Sequence, residues 1–199
     1  MVNSPVKLTL AIAMAAVTAI SAQISFKVGP IPYTMQNFGV MLSGFLLGPR
    51  YGTFSILIYV GMIALGLPFA SGGGGLGVLL GPTAGFIYGF IFSAFLAGVF
   101  RDFIGDKKLL LWISTLIASI PTYLFGFIVF YPFAFNDLSM LESVSKIAKN
   151  LGFEGSEIFL IFAATVLIFI PQDFLVDHLL AVVVYFYLKK MLTERGMEL

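Results

Sequence analysis

Pro30-Ile31-Pro32-Tyr33-Thr34-Met35-Gln36 and Gly72-Gly73-Gly74-Gly75-Leu76-Gly77 lie between segments apolar enough to sit in a bilayer. Within lipid, irregular backbone survives only where protein buries it or where it lines a cavity. Proline- and glycine-broken stretches at membrane depth therefore point to a small-molecule site. The stretch from Pro30 to Gly89 reads as the heart of a membrane protein that binds or carries a solute.

Composition agrees. The 199 residues are 59% hydrophobic and 11% charged, with a mean hydropathy of +1.03, outside the range of soluble domains. Nothing along the chain marks a second folding unit, so residues 1–199 are expected to form one integral-membrane domain. The absence of cysteine excludes disulfides and thiolate metal sites. A net charge of +1, with the basic residues scattered, argues against nucleic acid as a partner. No phosphate loop ending in Gly-Lys-Ser/Thr occurs, nor a nucleophile–base pair or paired metal motif at readable spacing. Neither an enzyme nor a cofactor or metal protein is expected.

Working outward, apolar runs predict transmembrane helices at about 8–26, 34–48, 51–67, 82–104, 109–133 and 157–190. The fold class is an all-α membrane protein, a six-transmembrane-helix bundle with Gly/Pro-rich outer loops. The second and third segments are short for a hydrocarbon core that needs about 20 helical residues. They are either two short spans or a re-entrant hairpin turning at Gly48-Pro49-Arg50. The sixth is overlong and broken by Pro171, which removes an internal hydrogen bond. Ala19-Ile20-Ser21 resembles a signal-peptide cleavage site. The apolar run before it exceeds the usual core of about 7–15 residues, so the first helix is expected to stay uncleaved.

Lys and Arg placement sets the orientation. One side carries Lys7, Arg50, Arg101, Lys107, Lys108, Lys189, Lys190 and Arg195; the other carries Lys27, Lys146 and Lys149. Both termini should be cytoplasmic, with the Pro30–Gln36 segment and the glycine run on the outer face.

Several motifs have two readings. Gly72-x-Gly74-x-x-Gly77 matches a dinucleotide fingerprint, but no strand precedes it, so the Rossmann context is missing. Glycine there suits a flexible loop or close backbone approach to a ligand. Ala11, Ala15 and Ala19 form a small-residue stripe on the first helix, fit for internal packing or for docking a partner helix. Gly81, Gly85 and Gly89 form another, read as internal packing. Asp173 and Asp177 share a helix face after Pro171 and should line a pocket or water-filled cavity. His178 reads as a hydrogen-bonded interior residue. In the loop from Asn136 to Gly152, Ser139-x-x-Glu142 fits a capping box, and Leu141, Val144, Ile147, Ala148 and Leu151 form an apolar face. That helix is either a membrane-surface strut or a lid.

Ile31-Pro32-x-Thr34-x-Gln36, Leu47-Gly48-Pro49-Arg50-x-Gly52, Gly66-Leu67-Pro68, the glycine run and Gly81-Pro82-Thr83-x-Gly85-Phe86 occur in this order. The ordered set closely resembles the BioY family, the biotin-binding S components of energy-coupling-factor (ECF) transporters. The resemblance covers most of residues 5–190. It implies biotin capture from outside and docking on a transmembrane coupling subunit (EcfT-like) driven by two ATPases (EcfA-like). It also implies that the Ala11/Ala15/Ala19 stripe is the docking face. The family's sixth helix usually carries Pro-Gly-Asp-x-x-Lys, whereas this chain has Pro171-Gln172-Asp173-Phe174-Leu175-Val176. The carboxylate carries over to Asp173 and the lysine position is Val176. Substitutes for a cation are His178, glycine-loop amides, or the helix N-terminus after Pro82.

A ureido ring offers two N–H donors and a carbonyl acceptor. Asp173 can accept from the donors, and the Gln36 and Asn37 amides donate and accept. Tyr33, Tyr88 and Phe86 could wall the rings. The candidate substrate-binding set is Thr34, Gln36, Asn37, Gly73, Gly74, Gly75, Phe86, Tyr88 and Asp173. The rival reading is a stand-alone proton-coupled carrier using Asp173, Asp177 and His178 as a relay.

Overall fold

A computed structural model describes residues 4–27 and 29–196. Helix α1, Ser4–Ser21, ends earlier than residue 26, where the sequence pattern placed its end. The chain then forms a short antiparallel ladder, β1 Ser25–Lys27 with β2 Pro32–Thr34, pairing Phe26 with Tyr33. The fold is mostly helical, with this short ladder beside the bundle. Pro30 and Pro32 cannot continue a helix, and the extended backbone they impose finds its hydrogen bonds in a partner strand.

Helix α2, Gln36–Ala64, is two arms, 36–47 and 49–64, folded back on each other at Gly48. Gly48 has φ +74° and ψ −179°, a conformation suited to glycine, and Pro49 starts the second arm. A Cβ on Gly52 would lie 2.8 Å from the Gly44 Cα, so the arms touch backbone to backbone. The Gln36 amide also donates to the Tyr59 hydroxyl. In one straight helix those residues would stand about 35 Å apart. The turn packs against Gly98 and Arg101, which places Arg50 at the same end of the bundle as Arg101.

A loop containing α3, Leu76–Leu79, leads into α4, Ala84–Ile104. Helices α5, Lys108–Ala118, and α6, Ile120–Asn136, form one apolar stretch broken at Ser119, with Pro121 in the first turn of α6. Helix α7, Leu138–Asn150, crosses the bundle end. Its cap is Asp137 rather than Ser139: Asp137 Oδ1 accepts from the Ser139 and Met140 amides at 2.9 and 3.2 Å. The Ser139 hydroxyl, which donates to the same oxygen at 2.7 Å, and the Met140 amide hold the Asp137 carboxyl below its usual range. Its Val144 and Ala148 are buried against α6 and the last helical stretch.

That stretch, Glu157–Glu194, alternates α-helix with π-helix: α8 Glu157–Phe162, a π segment Ala163–Leu167, α9 Ile170–Gln172, a π segment Asp173–His178, and α10 Leu179–Glu194. The π segments flank Pro171, where the ordinary ladder is already interrupted. Among the described residues, four stretches are long and apolar enough to cross a membrane: Gln36–Ala64, Ala84–Ile104, Lys108–Asn136 and Glu157–Glu194. The first of them reverses at Gly48, and each of its arms is shorter than the about 20 residues a span needs.

The alanine stripe is packed inside the chain. Ala11, Ala15 and Ala19 are fully or almost fully buried, and Ala15 and Ala19 pack in one cluster with Val40, Ile56 and Tyr59 of α2. Small side chains there let the α2 backbone come so close that a Cβ on Gly39 would lie 2.7 Å from the Thr18 Cα. The stripe is an internal seam. Gly85 and Gly89 serve the same purpose against α6, where added Cβ atoms would lie 2.0 Å from the Phe125 carbonyl oxygen and 2.4 Å from the Thr122 Cα.

Candidate functional site

Where β2 enters α2, the 65–83 loop, the first half of α4, α6 and the Pro171 break close around a cavity of about 130 Å³. Thr34, Gln36, Asn37, Phe86 and Asp173 of the expected set line it. The structure adds Ile31, Pro32, Ala70, Ser71, Val78, Thr83, Ile87, Phe90, Thr122, Tyr123 and Phe169. Gly73, Gly74, Gly75 and Tyr88 are not in that lining. Gly74 instead meets the Leu67 carbonyl, and Gly75 donates its amide to Ile63 O at 2.7 Å. Tyr88 reaches across to the Leu79 carbonyl, fastening α3 to α4. The glycines shape the loop that presents Ala70, Ser71 and Val78.

Polar atoms of the cavity are ordered. Asp173 Oδ2 accepts from Asn37 Nδ2 at 2.7 Å and from the Tyr123 hydroxyl at 2.6 Å. Both bonds converge on one oxygen, and Oδ1 has no donor among the described residues. Asn37 Oδ1 is buried and likewise has no partner. Two acceptor atoms are thus left on adjoining residues of the lining. Gln36 is already engaged: Thr34 Oγ1 donates to its Oε1 at 2.8 Å, and its amide donates to Tyr59, whose hydroxyl donates to Phe69 O at 2.9 Å. That chain ties β2 and both arms of α2 to the 65–83 loop.

Tyr33 lies outside the lining, stacked between Phe26 and Phe169 with centroids 5.0 and 4.3 Å away. Its hydroxyl donates to Ile168 O at 2.8 Å, and burial, with the Asp173 charge adding, pushes the phenol above its usual range. It props Phe169, which does line the cavity.

Among the described residues, Asp173 is the one charged side chain in the lining, and no Lys, Arg or His contributes. The proposed relay is not assembled. Asp177 Oδ1 accepts from Gln172 Nε2 at 3.0 Å, and neither ring nitrogen of buried His178 has a hydrogen-bond partner among the described residues. His178 is therefore interior, as expected, but not hydrogen-bonded. No hydrogen bond among the described residues joins Asp173, Asp177 and His178. Val176 is 47% exposed and faces out of the bundle, so a side chain there does not reach the cavity.

Tyr123 is the main residue that sequence reasoning missed. Its signal is a hydroxyl in an apolar run, a group that needs a partner when buried.

The BioY family profile matches residues 2–194. This chain belongs to the BioY family. Among BioY relatives, it is 43% identical over 112 residues to "Probable biotin transporter BioY" of Pyrococcus horikoshii, a match spanning 56% of this chain and 65% of that protein, just under two thirds. It is 35% identical over 154 residues to "Biotin transporter BioY" of Thermotoga maritima, covering 68% of this chain and 89% of that protein. A crystal structure of the S-component for biotin from an ECF-type ABC transporter is similar over 96% of this chain and 95% of that one, with a TM-score of 0.73 and 27% identity.

Proposed function

We propose that this BioY-family chain captures biotin in the cavity beneath the β1–β2 ladder and is the substrate-binding subunit of an ECF-type transporter. One observation carries the choice of ligand: among the described residues, buried Asn37 Oδ1 has no partner, and the neighbouring Asp173 Oδ1 receives neither of the two bonds to that carboxylate, both of which go to Oδ2. A buried acceptor left unpaired is costly, so the site suits a compact ring that brings its own N–H donors. The ureido ring of biotin brings two. The Thr83 hydroxyl can donate to its carbonyl, and Phe86, Ile87, Phe90 and Phe169 supply apolar walls for the fused ring. The family membership and the names of the relatives support the same ligand.

The cavity opens on the outer face. The far end of the bundle holds Arg50, Arg101, Lys107, Lys108, Lys189 and Lys190, with Lys7 beside Tyr51, as the cytoplasmic end of a membrane protein does. With each arm of α2 counted as a short pass, the chain makes six passes with both termini inside. Release to the inside then depends on a membrane coupling subunit (EcfT-like) and partner ATPases (EcfA-like), as the resemblance implies. The test is uptake of labelled biotin by biotin-auxotrophic cells expressing this chain with and without such subunits. Accumulation that needs the ATPases supports the reading. Uptake unchanged without them, and abolished by collapsing the proton gradient, refutes it.

A further inference from the structure

We infer that the groove between α5 and α10, at the end of the bundle opposite the cavity, binds an anionic phospholipid. The groove has a volume of about 470 Å³ and is walled by Leu109, Trp112, Val182, Val183 and Phe186, with Lys108 and Lys190 in its lining.

Three observations select that occupant. First, charge: Arg101 pairs with Asp102 and Lys189 with Asp106, while Lys107, next to Lys108, has no ion pair among the described residues. Lys190 has only Glu194 at 3.9 Å, both ends well exposed, and such a contact is weak. Lys108 takes part in no ion pair among the described residues and sits over the Phe186 ring, 5.3 Å from its centroid. Two ammonium groups at the mouth of an apolar groove complement a phosphate above acyl chains. Second, length: from Lys190 down to Leu179 the groove follows about 16 Å of α10, half of a hydrocarbon core of about 30 Å. That is the depth of one leaflet. Third, access: Leu109, Leu179, Val183 and Tyr187 are exposed on the flank of the bundle, where acyl chains lie. The floor is rigid, since Trp112 stacks on Phe174 at 4.3 Å and its Nε1 donates to Phe174 O at 2.8 Å.

Trp112 is the chain's sole tryptophan, so its fluorescence reports on this groove alone. The full chain is reconstituted in phosphatidylcholine bilayers containing a minor fraction of brominated phosphatidylglycerol or, in parallel, brominated phosphatidylcholine. The anionic lipid should quench Trp112 with at least about threefold higher apparent affinity than the zwitterionic one. That excess should disappear in Lys108→Gln/Lys190→Gln, whose surface positions leave the emission maximum in place. Equal quenching by the two lipids in the wild-type chain overturns the inference, whatever the fate of the variant. An excess that survives in a folded double variant, or in Lys108→Gln and Lys190→Gln singly, overturns it too.

Discussion

Asp173→Asn isolates the atom on which ligand recognition rests. In the wild-type chain both protein donors, Asn37 Nδ2 and the Tyr123 hydroxyl, point at Oδ2. An asparagine can keep its carbonyl oxygen in that place, so both internal bonds survive. Its amide nitrogen then replaces Oδ1, and an acceptor becomes a donor where a ureido N–H must bind. The fold should not suffer, because the substitution also removes a buried carboxylate with no cation in the cavity lining. Binding loses a charge-assisted hydrogen bond worth about 1.5–3 kcal/mol. The dissociation constant for biotin should rise about 10- to 150-fold. Isothermal titration of the detergent-solubilised protein reads the affinity, and thermal unfolding of the same sample reads the fold. An affinity within about threefold of wild type, in a variant that melts normally, would show that Asp173 is not at the ligand and refute the reasoning.

Three further outcomes follow from the packing. His178→Leu replaces a buried imidazole that has no partner with an apolar group, so the melting temperature should hold or rise, by up to about 2 kcal/mol of stability. Biotin binding should be unchanged; lost uptake with intact binding would revive the proton relay. Val176→Lys should leave biotin affinity unchanged on titration, because residue 176 faces out of the bundle; a clear gain for free biotin over biotin amide would place it at the cavity. Ala15→Leu/Ala19→Leu should abolish binding and cooperative melting together, since overpacking a buried seam costs about 1–3 kcal/mol or more per site. A folded, ligand-binding variant that fails only in ATP-driven uptake would return the stripe to a docking role.

Much of the helical layout was legible because apolar run length and the Gly-Pro pair at 48–49 are strong local signals. The reversal at Gly48 is common to both readings of that segment, and the contact of Gly44 with Gly52 and the Gln36–Tyr59 bond show it. The small-residue stripe announced a close helix approach but carried no sign of whose helix approaches. Ser139 and Asp137 are both good caps two residues apart, and the backbone geometry chose the latter. The three-residue strands are too short to show alternation, and the π segments around Pro171 have no periodic signature. At the site, Asp173 and Asn37 stood out as polar groups in apolar surroundings. Tyr123 did not, because an aromatic in a membrane helix is ordinary until its hydroxyl is seen to bond a carboxylate.

Equilibrium binding of tritiated biotin to the purified chain, with no partner subunit present, tests the central claim most directly. Saturable binding of one biotin per chain with a dissociation constant below about 1 μM, competed by unlabelled biotin but not by an analogue methylated on both ureido nitrogens, is the predicted result. No saturable binding up to about 1 mM, or equal competition by the methylated analogue, would contradict it.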